Sequence, residues 1–136
     1  MSTPLDVPGD PVALVRAYLA AMERRDLDAA RAMLAPGFRM TFPGDTQFNS
    51  LEELVASAKG RYRSASKTFE HCDVVPQADG GAVVYCLGTL FGDLNSGQAY
   101  AGIRYIDRFT VRGGRLVDQS VWNDMAEVLG AKLKPL

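Results

Sequence analysis

Halfway along the chain the spacing of apolar residues changes. Before Tyr62 they recur mainly at helical intervals; from Lys67 onward β-branched and aromatic residues alternate between turn clusters at QADGG, NSGQ and RGG. A chain that writes helices first and strands afterwards has few ways to bury both kinds of apolar face. Helices packed on one face of a curved, mainly antiparallel sheet are the economical one, which makes this an α+β chain.

The local signals are explicit. Asp10 followed by Pro11 starts a helix, since the carboxylate accepts from open amides and proline has none to satisfy. Leu14, Tyr18, Ala21 and Met22, with Val12, Val15 and Leu19, make its apolar stripe, which ends near Arg25. Asp26 caps a second, short helix, LDAARAML, that stops at Pro36-Gly37. Phe38, Met40 and Phe42 alternate as a half-buried strand before the turn Pro43-Gly44-Asp45. Ser50-Leu51-Glu52-Glu53 is a capping box, and the third helix it opens continues through Leu54, Val55, Ala58 and Tyr62. Strands are predicted over 67–76, 82–92, 99–112 and 115–124, joined by hairpins, with a tail helix, MAEVLGAKL, closing the chain.

With 136 residues, 47% of them hydrophobic, the chain suits one core rather than two. Residues 1–9 read as a flexible lead-in and 10–136 as a single domain. Fifteen basic residues against sixteen acidic give a net charge of −1 with no long run of either sign, so nucleic acid and membrane surfaces are not expected partners. MSTPLDVPGD lacks the basic-then-apolar pattern of a leader, which points to a cytoplasmic protein. Cys72 and Cys86 fall on strands without metal-ligand spacing and read as small buried hydrophobes.

The chemistry concentrates near the end of the sheet. On the strand over 103–111, Ile103, Tyr105, Asp107, Phe109 and Val111 share one face and Arg104, Arg108 and Arg112 the other. Asp107 therefore points with the apolar side, where a carboxyl must be hydrogen-bonded, paired or kept neutral. It is either a functional acid or a sheet-fixing group. Strict alternation on the next strand puts Trp122 and Asp124 on one face, as a pocket wall and an acid, or as core and a cap for the tail helix. Tyr18 sits mid-helix on the buried stripe, where its hydroxyl needs a partner. His71, the only histidine, reads as structural or superficial. Nucleophile-elbow, phosphate-loop, dinucleotide and zinc-protease motifs are all missing from the sequence.

ALVRAYLAAMERRDLDAARAML resembles the opening helix pair of ketosteroid isomerases and SnoaL-like proteins, and YIDRFTVRGGRLVDQSVWNDM resembles their closing hairpin. The resemblance spans nearly the whole chain and implies the cone-shaped barrel of the nuclear transport factor two-like superfamily, with three N-terminal helices over the concave face of a mixed sheet. It also implies roles. Tyr18 and Asp107 match the tyrosine and protonated aspartic acid that stabilise a dienolate oxygen in ketosteroid isomerase; at the place of that enzyme's proton-moving aspartate stands Phe42. Asp107, Asp124 and Trp122 match the two acids and the tryptophan of limonene epoxide hydrolase, with Tyr105 where its bridging arginine would be. SnoaL-like cyclases need only a pocket aspartate for aldol closure, which Asp107 or Asp124 supplies.

The expectation is a pocket for a small hydrophobic carbonyl compound, with acid/base isomerisation or aldol-type cyclisation carried by Asp107, Asp124 and Tyr18. Trp122, Phe42, Tyr105, Met40 and Phe109 would hold the substrate, with no metal or organic cofactor. A non-catalytic ligand-binding or association domain is the alternative, and an epoxide hydrolase-like enzyme a second. Family analogy also implies a homodimer formed through the outer sheet face.

Overall fold

A computed structural model describes residues 10–130. The expectations of a loose residue 1–9 segment and of a tail helix running past residue 130 lie outside the described residues. Helix α1 (Pro11–Glu23) starts where Asp10 accepts a 2.9 Å hydrogen bond from the Ala13 amide, and it buries Leu14, Val15, Tyr18, Leu19, Ala21 and Met22. Arg25, in the left-handed region at φ 61°, turns the chain into α2 (Leu27–Arg31), capped by Asp26. That helix is shorter than its sequence pattern, because the strand β1 (Leu34–Phe42) begins before Pro36 and absorbs the end of LDAARAML.

Strand β2 (Thr46–Phe48) folds back antiparallel on β1, a pairing too short to read from alternation. The capping box holds at α3 (Leu51–Lys59), with Ser50 and Glu53 satisfying each other's amides. The helix stops short of Tyr62, which instead opens β3 (Tyr62–Lys67). The single strand expected over 67–76 is broken: β3 ends at Lys67 and β4 (His71–Pro76) starts four residues later.

The last three strands, β5 (Ala82–Leu94), β6 (Ala99–Arg112) and β7 (Arg115–Asn123), form the antiparallel centre, and α4 (Met125–Leu129) follows. The sheet order is β2-β1-β7-β6-β5-β3, with β4 also paired to β5 and β1 parallel to β7. It is therefore a mixed, mainly antiparallel sheet, as expected.

Two irregularities shape the concave face. Between Tyr100 and Ile103 the pairing with β5 shifts by one residue, and Gly102 takes φ 72°, so Tyr100 and Ile103 are both buried. Gly88 lets the backbone of Thr68 cross closely, since a Cβ there would lie 2.1 Å from the Thr68 carbonyl oxygen. The core joins α1 to Val84, Cys86, Ile103, Phe109 and Leu116 of the sheet.

Candidate active site

A cavity of about 380 Å3 lies between α1, α3 and the concave sheet, with Tyr18, Phe42, Lys67, Tyr105, Asp107 and Gln119 in its wall. Asp107 stands opposite Cys86 on one side and Val121 on the other, in the middle of the sheet, and is fully buried. Its expected partner is a residue that alternation did not single out. Lys67, the last residue of β3, reaches over the face of the Tyr105 ring, 4.8 Å from its centroid, and forms an ion pair with Asp107 Oδ2. The other carboxylate oxygen, Oδ1, has no hydrogen-bond partner among the described residues. The carboxylate is thus half-satisfied, an exception among buried polar groups.

Tyr18 enters the same wall from the helix side. Its ring packs edge-on against Phe38 and Phe109 at 5.9 Å, and its hydroxyl finds only the Met40 sulfur at 3.9 Å, a weak acceptor. Burial, and then the negative charge of Asp107, push the phenol far above its ordinary range, so it is a donor throughout the physiological pH range. The Tyr105 hydroxyl is already spent on the Thr68 carbonyl oxygen at 2.7 Å, which makes Tyr105 a fixed wall rather than a free donor. Phe42 lines the cavity and is braced edge-on by Phe48 at 5.4 Å.

Four sequence expectations need correction in their placement. Trp122 is 54% exposed on the outer face, and Asp124 turns away from the cavity to Arg104, 2.6 Å from its Nε. The cause is a bulge: Val111 pairs with Leu116 but Thr110 with Asp118, leaving Val117 extra. Beyond it the alternation is inverted, so Gln119, Val121 and Asn123 face inward where Trp122 and Asp124 were expected. Asp124 occupies the N-cap position of α4 without a side-chain cap; the amide oxygen of Asn123 takes the Met125 N–H instead. The two acids of an epoxide hydrolase-like site are thereby separated onto opposite faces. Met40 and Phe109, expected to touch substrate, are fully buried behind Tyr18 and lie outside the wall of this cavity.

Lys67, Gln119 and Asn123 are what sequence reasoning missed. A break after Lys67 was the available signal for the first, since Thr68-Phe69 ends one alternation and His71 begins another. His71 is exposed beside Asp73 and takes no part in the site. Among the described residues no cluster of three or more histidine, cysteine or acidic side chains is placed to hold a metal, and no helix is long and apolar enough to cross a membrane.

Solved structures share the fold at low identity. An NTF2-like protein of unknown function from Burkholderia pseudomallei is 20% identical, with a TM-score of 0.72 over 90% of this chain and 96% of the other. A putative SnoaL-like polyketide cyclase from Jannaschia is 19% identical, with a TM-score of 0.67 over 100% and 99%. AclR, a putative hydroxylase from Streptomyces galilaeus, is 14% identical, with a TM-score of 0.66 over 89% and 83%. Comparison with curated proteins finds no match. A family model for the SnoaL-like domain matches residues 15–119, most of the chain, and the protein belongs to that family.

Proposed function

We propose that the protein is an acid/base catalyst for a small hydrophobic carbonyl compound, acting by isomerisation or aldol-type cyclisation, with Asp107 as the proton-transferring group. The observation that carries this reading is the carboxylate itself: fully buried, in a cavity wall, with Lys67 on one oxygen and no donor on the other among the described residues. In this reading Oδ1, the oxygen that Lys67 does not hold, takes a proton from the carbon beside a carbonyl. The Tyr18 hydroxyl, weakly engaged by Met40, is a donor for the enolate oxygen that forms, and the Lys67 ammonium compensates the charge nearby.

Two fates of the enolate conserve atoms and charge. Return of the proton from Asp107 to a different carbon gives an isomer. Attack of the enolate carbon on a second carbonyl gives a cyclic alkoxide, which takes the proton to become an aldol. Both use side chains alone, which is the reaction type the SnoaL-like family membership supports.

The test is kinetic and isotopic. In deuterated water the protein is expected to exchange the α-hydrogens of an accepted ketone, and Asp107→Asn should lower the exchange rate by about 10²- to 10⁴-fold. Unchanged exchange in Asp107→Asn would sink the assignment. Tight binding without exchange in either protein would favour the non-catalytic carrier.

A further inference from the structure

Asp107 Oδ1 is not the only buried acceptor in this wall without a protein partner. Gln119 is 4% exposed, and its Oε1 is buried with no donor among the described residues. The bulge at Val117 turns Gln119 to the concave face, where it stands opposite Phe109 while Asp107 stands opposite Val121. The two residues are therefore diagonal neighbours on adjacent strands, their Cβ atoms roughly 7 Å apart. Two neighbouring polar groups of the wall are engaged: the Asn123 oxygen by the Met125 amide and the Tyr105 hydroxyl by the Thr68 carbonyl. What remains is a pair of buried acceptors without a protein donor among the described residues, on neighbouring strands of the cavity wall.

Resting on the reading of this cavity as the substrate site, we propose that its ligand carries two hydroxyl groups, phenolic or enolic, one donating to Asp107 Oδ1 and one to Gln119, and that Gln119 sets this preference. A carbonyl oxygen only accepts, so it can meet Tyr18 or Lys67 but not Oδ1. A hydroxyl donates to a carboxylate, and it both donates to and accepts from an amide, so it suits either end of the Gln119 side chain. A ligand lacking one hydroxyl leaves a buried acceptor unpaired, which costs about tenfold or more in affinity for each one.

The experiment is calorimetric binding of the full chain to dihydroxynaphthalenes, with both hydroxyls on one ring or one on each, and to their mono- and dimethyl ethers. At least one diol is expected to bind tenfold or more tighter than its dimethyl ether. In Gln119→Leu, and in Gln119→Met as a second variant of similar volume, the diol should lose the advantage of one hydroxyl and bind no better than the better of its monomethyl ethers. Thermal unfolding of each variant establishes that it is folded. Ethers that bind as tightly as diols, a diol advantage untouched in both folded variants, or no binding by any diol overturns the inference. None of these probes carries a ketone, so such failures leave Asp107-dependent exchange of a carbonyl compound standing, and loss of that exchange leaves diol selectivity standing.

Discussion

Lys67 on β3 and Asp107 on β6, forty positions apart in sequence, meet as an ion pair across β5 over the ring of Tyr105. Bringing two charges into a mostly apolar wall costs several kcal/mol per ion before their attraction offsets it, so each partner depends on the other. Lys67→Met would leave the carboxylate uncompensated and is expected to destabilise the fold by about 3 kcal/mol, the lower end for such losses because Lys67 is 21% exposed. Adding Asp107→Leu to Lys67→Met should restore most of that. Urea unfolding of the wild type, both single variants and the double variant gives the coupling directly. A cost below about 1 kcal/mol for Lys67→Met would mean that the carboxylate draws its stabilisation from elsewhere.

The buried phenols make a second expectation, about alkaline pH. Tyr18, Tyr62, Tyr100 and Tyr105 are all raised above the ordinary phenol value of 10.0, in each case chiefly by burial. A group whose folded pKa is raised keeps its proton in the native state after the unfolded chain has begun to lose it. Its contribution to stability is thus complete below pH 10 and is lost progressively as pH rises above it. Spectrophotometric titration of the native protein should leave these four protonated beyond pH 10, with their ionisation appearing together with loss of the fold. Four phenols titrating reversibly near pH 10 in folded protein would contradict the packing around α1 and β6.

How far the site could be read in advance depended on where strand alternation holds. Asp107 was legible because β6 alternates regularly from Ile103 to Phe109, so its neighbours on the strand fixed its face. Trp122 was not, because one extra residue at Val117 inverts every side chain after it, and no turn residue marks a bulge at that position. The helix starts were explicit, as Asp10, Asp26 and Ser50 each accept the capping bond their type prefers. The end of α3 was not, since Tyr62 continues the helical spacing yet packs against Tyr100, 6.4 Å away between ring centroids, as part of a strand. For Lys67 the break in alternation marks a strand end, but its partner follows only from the pairing of β3 with β5.

Cys72 and Cys86 stand opposite each other on β4 and β5 with their sulfurs 2.9 Å apart, a relationship neither residue's sequence context suggested. Both are free thiols in this structure. Oxidised glutathione supplies a disulfide that the half-buried Cys72 can attack as a thiolate, releasing one glutathione. Cys86 then attacks the mixed disulfide and releases the second. Burial first, and then the hydrogen bond to Cys72, push the Cys86 thiol well above its ordinary range, so the second step is expected to be slow. Mass spectrometry after incubation should show the loss of two hydrogens and no retained glutathione, with Cys86→Ser trapping the mixed adduct. Two persistent free thiols at equilibrium would show that the strands cannot accept the bond.

Trp122 reports on the outer face, where it pairs directly with the exposed Ile106. The arginines on that face are not free charges: Arg104 meets Asp124 at 2.6 Å, Arg112 meets Asp79 at 2.8 Å, and Arg108 lies near Asp118 at 3.9 Å and against Tyr85. That compensation is what a sheet surface needs if a second copy is to cover it, because uncompensated like charges would repel across the two-fold axis. A homodimer through this face is expected to bury the only tryptophan. Its fluorescence should then move to the blue as concentration rises, in step with the mass measured by sedimentation equilibrium. Trp122→Ala, a surface change with little effect on monomer stability, should weaken the association by about tenfold or more if the indole is an anchor. Monomer mass at every concentration, with unchanged emission, would remove this face as a self-association surface and leave the exposed indole for some other use.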